Sequence, residues 1–383
     1  MTDLATARQI LDTLIGFDTT SRNSNLALIE WVEAYLARHG VESQRVPNED
    51  GRKANLFATC GPRVEGGVIL SGHTDVVPVD GQDWSSDPWT VREADGKLFG
   101  RGVADMKGFI ALALAFVPRF VAGKLPVHLA LSYDEEVGCQ GAPAMIARMA
   151  QDIPPPRLAI VGEPSLMGII TGHKGIAVHE VTVRGHAAHS SLVDHGISAN
   201  AVAVGLMHEL LALAEELRAR ADPDNGFDPP QATLTIGVME GGTASNILAG
   251  HARFQFDLRC PPGEHADAIL APFKARCEAL DAELKARFPD SGVQVEQHAG
   301  TQPMTPQGSE DAVAFVRALT GENSAPGQVA FAAEGGQFQA AGFPTVICGP
   351  GSIEQAHQPD EWIALSELEK GAAFMQRLAE RLG

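Results

Sequence analysis

The sequence predicts a layered α/β domain with a mixed sheet, interrupted by an inserted α+β unit. Three observations lead there. The chain has 383 residues, more than a single core usually organises, so two domains are the natural expectation. Short runs rich in Val, Ile and Leu alternate with helical patterns over the first 170 residues or so, the texture of an α/β layer. After "TGHKG" the texture changes to alternating strands around two long helices, and near "VQVEQHAGTQP" the first texture returns. The expected segments are 1–176 and 299–383 for the layered domain and 177–298 for the insertion, with hinges near Lys174 and Thr301.

Taken in order, Leu4, Ile10, Leu11, Leu14 and Ile15 recur at helical spacing, as do Ile29, Val32, Tyr35 and Leu36, with Gly40 placed to stop the second helix. "NLFATC" and "GVILSGH" read as strands. One apolar helix is expected from about Met106 to Val121, then a strand at "VHLALSYDEE", a helix around Ala142 to Met149, and a strand at "LAIVGEP". In the insertion, "IAVHEVTVRG", "QATLTIGVMEGG" and "HARFQFDLRC" are strands, and Ser198 to Arg220 and Glu264 to Phe288 are helices. A helix after Ser309, the strand "PTVICGPG" and a helix from Leu365 close the chain.

Composition narrows the function classes. Forty-eight acidic against 29 basic side chains give a net charge of −19, which argues against nucleic acid or an anionic membrane as a partner. The start of the chain lacks the pattern of a secretory signal, and no apolar run approaches the roughly 18 residues of a membrane span. Five cysteines (Cys60, Cys139, Cys260, Cys277 and Cys348) are scattered without CxxC spacing. They read as reduced thiols of a cytoplasmic protein. No G-x-S-x-G elbow, P-loop or dinucleotide fingerprint occurs.

Chemistry-bearing residues gather at strand ends. His73 and Asp75 in "SGHTDVVPVDG" follow an apolar strand, where open α/β sheets place ligands; a His-x-Asp pair can join at a metal or let the carboxylate orient the ring. Asp105 in "GRGVADMKG" sits before an apolar helix and serves either as its cap or as a bridge between cations. Asp134, Glu135 and Glu136 lie side by side in "SYDEEVG", an arrangement that repels itself unless positive charge intervenes. Glu163 ends the strand "AIVGEP", and His357 lies in the loop "GPGSIEQAHQPDEW". Jointly they supply mixed nitrogen and oxygen donors without thiolates, an inventory suited to two zinc ions in an open catalytic site.

The ordered set "SGHTDVVP", "GRGVADMKG", "DEEVG", "GEPS", "RGHAAHSS", "GGTASNIL" and "AHQPDEW" resembles the dizinc metallopeptidase and deacylase family that includes aminoacylases, carboxypeptidases and succinyl-diaminopimelate desuccinylase. The resemblance covers nearly the whole chain. It implies that His73, Asp105 and Glu163 hold one zinc and Asp105, Glu136 and His357 the other, with cobalt or manganese as substitutes. Asp75 would hold the ring of His73, and Glu135 would be the general base. The insertion would be a lid and dimerisation domain, so a homodimer is expected. In it, His189 rather than His186 would stabilise the oxyanion in a partner's site, while Asn246 and Arg259 would bind the substrate carboxylate. Gly335 and Gly336 would form a substrate-contacting loop, and Glu334 would face a cationic side chain. The implied reaction is removal of a small acyl group from an N-acylated amino acid, with N-acetylornithine first. Succinyl-diaminopimelate, acetylcitrulline and C-terminal dipeptides are the alternatives, and an inactive metal-binding scaffold is the rival of another class.

Overall fold

A computed structural model describes residues 3–383, so the first two residues of the expected segment 1–176 lie outside the described residues. The chain forms two compact units. One comprises the chain up to His173, Met304–Gln328 and Ala333–Gly383; the other is Lys174–Pro303 with Val329–Ala332. The expected boundaries at 177 and 298 are corrected, because each falls inside a strand: residues 175–184 and 292–301 pair with one another from Arg184↔Gly292 to Ile176↔Thr301.

The first unit begins α1 (Asp3–Ile15), α2 (Leu26–Arg38), β1 (Ser43–Pro47), β2 (Ala54–Cys60), β3 (Val68–His73), β4 (Arg92–Ala94), β5 (Lys97–Phe99), α3 (Lys107–Ala115), α4 (Val117–Val121), β6 (Val127–Ser132), α5 (Ala142–Asp152), β7 (Leu158–Pro164) and β8 (Ile170–His173). The second contributes β9 (Gly175–Arg184), α6 (Ala199–Ala219), β10 (Thr233–Gly241), β11 (His251–Cys260), α7 (Ala266–Arg287) and β12 (Gly292–Thr301). Then follow α8 (Glu310–Thr320), β13 (Gly327–Val329), α9 (Gly335–Ala340), β14 (Thr345–Gly349), β15 (Trp362–Ala364) and α10 (Leu365–Leu382).

The large sheet has the order β1-β2-β6-β3-β7-β14-β8-β13. Its centre, β6-β3-β7-β14, is parallel, and β1, β2 and β8 run antiparallel to their neighbours. Every residue of β3, β6, β7 and β14 is buried. Unbroken apolar runs are what a parallel strand covered on both faces requires.

The single helix expected over Met106 to Val121 is two helices, α3 and α4, because Pro118 in the first turn of α4 has no N–H to continue the ladder. All of α3 is buried, including Lys107. The Lys107 ammonium donates to Leu14 O at 3.0 Å and Phe17 O at 2.9 Å, capping carbonyls at the end of α1. Gly162 lets α3 lie directly on β7: a Cβ there would fall 2.1 Å from the Phe109 ring.

His128, buried on β6, is polar without being part of the site. Its Nδ1 lies 3.0 Å from Thr59 Oγ1, and its Nε2 has no partner. Burial, reinforced by Arg63, lowers its pKa to about 4. The folded state therefore prefers the neutral ring, and the unfolded chain binds the extra proton between about pH 6.5 and 4. This contribution is complete above that window and is lost as pH falls through it. On metal-free protein, His128→Leu should lose roughly 2 kcal/mol less stability than wild type between pH 7 and 5. Urea titrations showing equal losses in both proteins would remove the assignment.

In the second unit the sheet order is β10-β11-β9-β12, fully antiparallel. Alternate residues of β11 are buried, among them Phe254, Phe256 and Leu258, which pack with Leu206, Leu210, Leu270 and Phe273 of α6 and α7. Ser198 caps α6, its hydroxyl accepting from Ala201 N at 3.4 Å. The edge strand β10 leaves Val238 and Met239 exposed, and the adjoining α6 exposes Val204 and Leu211.

Candidate metal centre

Four adjacent parallel strands deliver the expected ligands. His73 ends β3, Glu135 and Glu136 follow β6, Glu163 lies near the end of β7, and His357 occupies the loop after β14. Asp105 enters from the turn before α3. It does not cap that helix, whose N-cap is Met106 with no side-chain bond. The carboxyl ends of neighbouring parallel strands thus converge on one place.

Asp105 stands at the centre. Its Oδ1 is 2.8 Å from His73 Nε2 and its Oδ2 is 3.3 Å from His357 Nε2. Glu163 Oε1 lies 3.8 Å from His73 Nε2, and Glu136 Oε2 lies 2.9 Å from His357 Nε2. Donor atoms of His73, Asp105 and Glu136 fall within 4.8 Å of one another, and so do those of His73, Glu135 and Glu163. His73, Asp105, Glu136 and Glu163 have side chains at most 5% exposed, whereas His357 is 50% exposed. The site therefore opens to solvent on its His357 side.

Asp75 has a different job from the one expected. His73 Nδ1 is 2.9 Å from the main-chain carbonyl of Asp75 and 3.7 Å from its carboxylate, so the peptide oxygen orients the ring. The carboxylate instead accepts from Glu135 N at 3.1 Å, Glu136 N at 3.2 Å and Ser21 Oγ at 2.7 Å. It fixes the turn that carries both glutamates. Asp134, the first of the three acidic neighbours, is taken up by an ion pair with Lys53.

The electrostatics ask for positive charge. Burial pushes Glu135 and Glu163 well above the usual carboxylate range and Glu136 to about 7, and neighbouring carboxylates add to each. Burial would raise Asp105 too, but hydrogen bonds from His357 and His73 outweigh it and hold it low. Hydrogen bonds to Asp105 and Glu136 lift His357 to about 10. Glu163 Oε1 is buried without a hydrogen-bond partner, an orientation that costs free energy unless a cation meets it. Nitrogen and oxygen donors with an open side fit divalent ions of the zinc, cobalt or manganese type. Cys139 comes close, its thiol donating to Glu135 Oε1 at 3.2 Å. Burial and Glu135 push that thiol well above its ordinary range, so it stays protonated.

Of the remaining expected residues, His189 and Asn246 are exposed and lie on paired segments of the second unit, with Ser190 N donating to Asn246 O at 2.9 Å. His189 Nδ1 is 2.8 Å from Ser191 Oγ. His186 stacks on Phe288 with centroids 4.0 Å apart, which accounts for its ring. Arg259 pairs with Asp257 at 3.2 Å. It sits at the Ile176 end of the sheet, and Asn246 lies beyond the opposite end at His251. At about 3.3 Å per residue, β11 separates them by roughly 26 Å, so one protomer cannot close both on the same carboxylate.

Gly335 and Gly336 do not form an open substrate loop. Both are buried; Gly336 N donates to His173 Nε2 at 2.9 Å, and a Cβ on Gly335 would lie 2.5 Å from Met304 Sδ. Glu334 is 1% exposed; its Oε2 accepts from Ser71 Oγ at 3.3 Å, and its Oε1 is buried without a hydrogen-bond partner.

Sequence reasoning passed over Glu361, whose buried carboxylate accepts from the main chain of the Asp105 turn, and its partner Arg101. Their only signal was position, Glu361 standing four residues after His357 in the same motif and Arg101 four before Asp105.

A layered α/β fold that gathers two histidines and buried carboxylates at the carboxyl ends of its parallel strands is that of a metal-dependent hydrolase. Residues 69–381 match peptidase family M20/M25/M40, and the chain belongs to that family. It is 34% identical over 379 residues to the acetylornithine deacetylase of Myxococcus xanthus, covering 98% of this chain and 97% of that protein. It is also 34% identical to the acetylornithine deacetylase of Proteus mirabilis, with 97% and 95% covered. The fold is similar to that of the metallo-carboxypeptidase Sso-CP2 of Sulfolobus solfataricus, at TM-score 0.77 and 15% identity over 98% of both chains. It is similar too to the YXEP protein of Bacillus subtilis, a dinuclear metal binding peptidase, at TM-score 0.63 and 14% identity over 99% of both chains.

Proposed function

We propose that the protein removes the acetyl group from N2-acetyl-L-ornithine, giving ornithine and acetate, as a cytoplasmic step of arginine synthesis. The observation that carries the hydrolytic reading is Asp105, one buried carboxylate whose two oxygens face the two histidines of the site. The similarity to two acetylornithine deacetylases supports the substrate. Five free, buried cysteines fit a reducing compartment, and among the described residues no helix is long and apolar enough to cross a membrane.

His73, Asp105 and Glu163 would hold one zinc ion and Asp105, Glu136 and His357 a second. Such ions polarise an amide carbonyl and make a water acidic near neutral pH. Glu135 would take a proton from the attacking water at a carboxylate oxygen and deliver it to the departing amine nitrogen. The Asp75 carboxylate, bonded to the main-chain N–H of Glu135, keeps that base in place. With Nδ1–H donated to the Asp75 carbonyl, His73 would offer the lone pair of Nε2, which faces Asp105, to an ion.

Binding of the substrate carboxylate by Arg259 and Asn246, and steadying of the oxyanion by His189, require a second copy of the chain, given the length of β11 between them. The exposed apolar residues of β10 and α6 support a homodimer through that face. Sedimentation as a monomer at assay concentration would remove this arrangement.

Steady-state hydrolysis on metal-loaded enzyme tests the substrate. N-acetylornithine should give a higher kcat/KM than succinyl-diaminopimelate, acetylcitrulline or a dipeptide. A clear preference for any of those would overturn the choice, and no hydrolysis of any would favour a non-catalytic relative.

A further inference from the structure

We propose that Glu361 is a positioning residue that holds the ligands Asp105 and His357 in register with each other. The inference rests on the metal-centre reading above. Glu361 is 1% exposed, and its carboxylate is taken up by main-chain amides and a guanidinium. Its Oε1 accepts from Ala104 N at 2.9 Å and Asp105 N at 3.1 Å; its Oε2 accepts from Gly102 N at 2.9 Å and Arg101 Nη1 at 2.8 Å. Its own main-chain oxygen takes Gly100 N at 3.0 Å. One side chain thus gathers the amides of the turn that presents Asp105.

The same cluster reaches the other ligand. Arg101, also 1% exposed, donates through Nη2 to Gln82 Oε1 at 2.6 Å, and Gln82 Nε2 donates to the main-chain oxygen of His357 at 3.0 Å. Trp84 Nε1 donates to the same Gln82 oxygen at 3.0 Å, fixing the amide's orientation. His357 has φ of +63°, a left-handed conformation that residues with a Cβ seldom adopt without support. The chain Glu361, Arg101, Gln82 supplies that support while anchoring the Asp105 turn at its other end. A buried carboxylate satisfied by amides and a guanidinium adds little net stability over an apolar replacement. Its geometric effect on two ligands is the more economical reason for its presence.

Two variants test this by zinc titration calorimetry on metal-free protein and by the visible spectrum of the cobalt form. Glu361→Gln keeps the shape but turns an amide NH2 toward donors, and should weaken zinc binding about 10–100-fold, the range for partners that orient ligands, with an altered cobalt spectrum. Gln82→Leu, at a half-buried position, should weaken only the ion held by His357. Wild-type zinc affinities and spectra in both variants, even with a lowered melting temperature, would overturn the positioning role. If Glu361→Gln does not fold, Gln82→Leu decides alone, and unchanged binding by it overturns the link to His357. Wild-type protein that fails to bind two ions would instead sink the metal-centre reading itself.

Discussion

Glu135→Gln is expected to lower kcat by about 10²–10⁴-fold, the usual weight of a general base, with KM changed little and both zinc ions retained. The substitution is close to isosteric. An amide oxygen can still accept from Cys139, and the main-chain bond from residue 135 to Asp75 is untouched. What disappears is the capacity to take up a proton. Geometry alone groups Glu135 with His73 and Glu163 as donors that could share one ion, so the variant separates two roles. A base leaves zinc content unchanged and turnover nearly abolished; a ligand loses zinc together with turnover. Undiminished turnover with both ions in place would eliminate both roles.

Asp105→Ala should be the most damaging change for the metal centre. It removes the one carboxylate that faces His73 with one oxygen and His357 with the other. Both ions should bind more weakly, by more than the roughly 10–100-fold attached to an outer partner, and hydrolysis should fall to background. His357→Ala is the control: it should weaken one ion and spare the other. If Asp105→Ala leaves either ion at wild-type affinity, the residue is not shared between two sites.

Much of this was legible in the sequence because it depends on short-range pattern. The buried strands β3, β6, β7 and β14 are apolar runs whose ends are marked by polar residues, so "SGH", "DEE" and "GEP" announce themselves as ligand positions. Patterns of this kind do not say which atom of a residue is used. Asp75 was expected to orient His73 with its carboxylate, yet it does so with its carbonyl and spends the carboxylate on the Glu135–Glu136 turn. Nor do they reveal long-range neighbours. Glu361 reaches the Asp105 turn across 256 residues, and Gly336 meets His173 across 163. Distances along a strand were available from the start: β11 alone keeps Arg259 and Asn246 apart, and only the pairing of Asn246 with the His189 segment shows which of them belong together.

The repulsion among Asp134, Glu135 and Glu136 resolves into three separate assignments. Asp134 pairs with Lys53, Glu136 faces His357, and Glu135 is left beside Cys139. That division of labour suits a centre built to hold cations. The most direct test is to titrate metal-free wild-type protein with zinc, following bound metal and N-acetylornithine hydrolysis in the same samples. Two equivalents should bind per chain, with hydrolysis appearing as they do. Saturation below two equivalents, or full activity in the metal-free protein, would contradict the account.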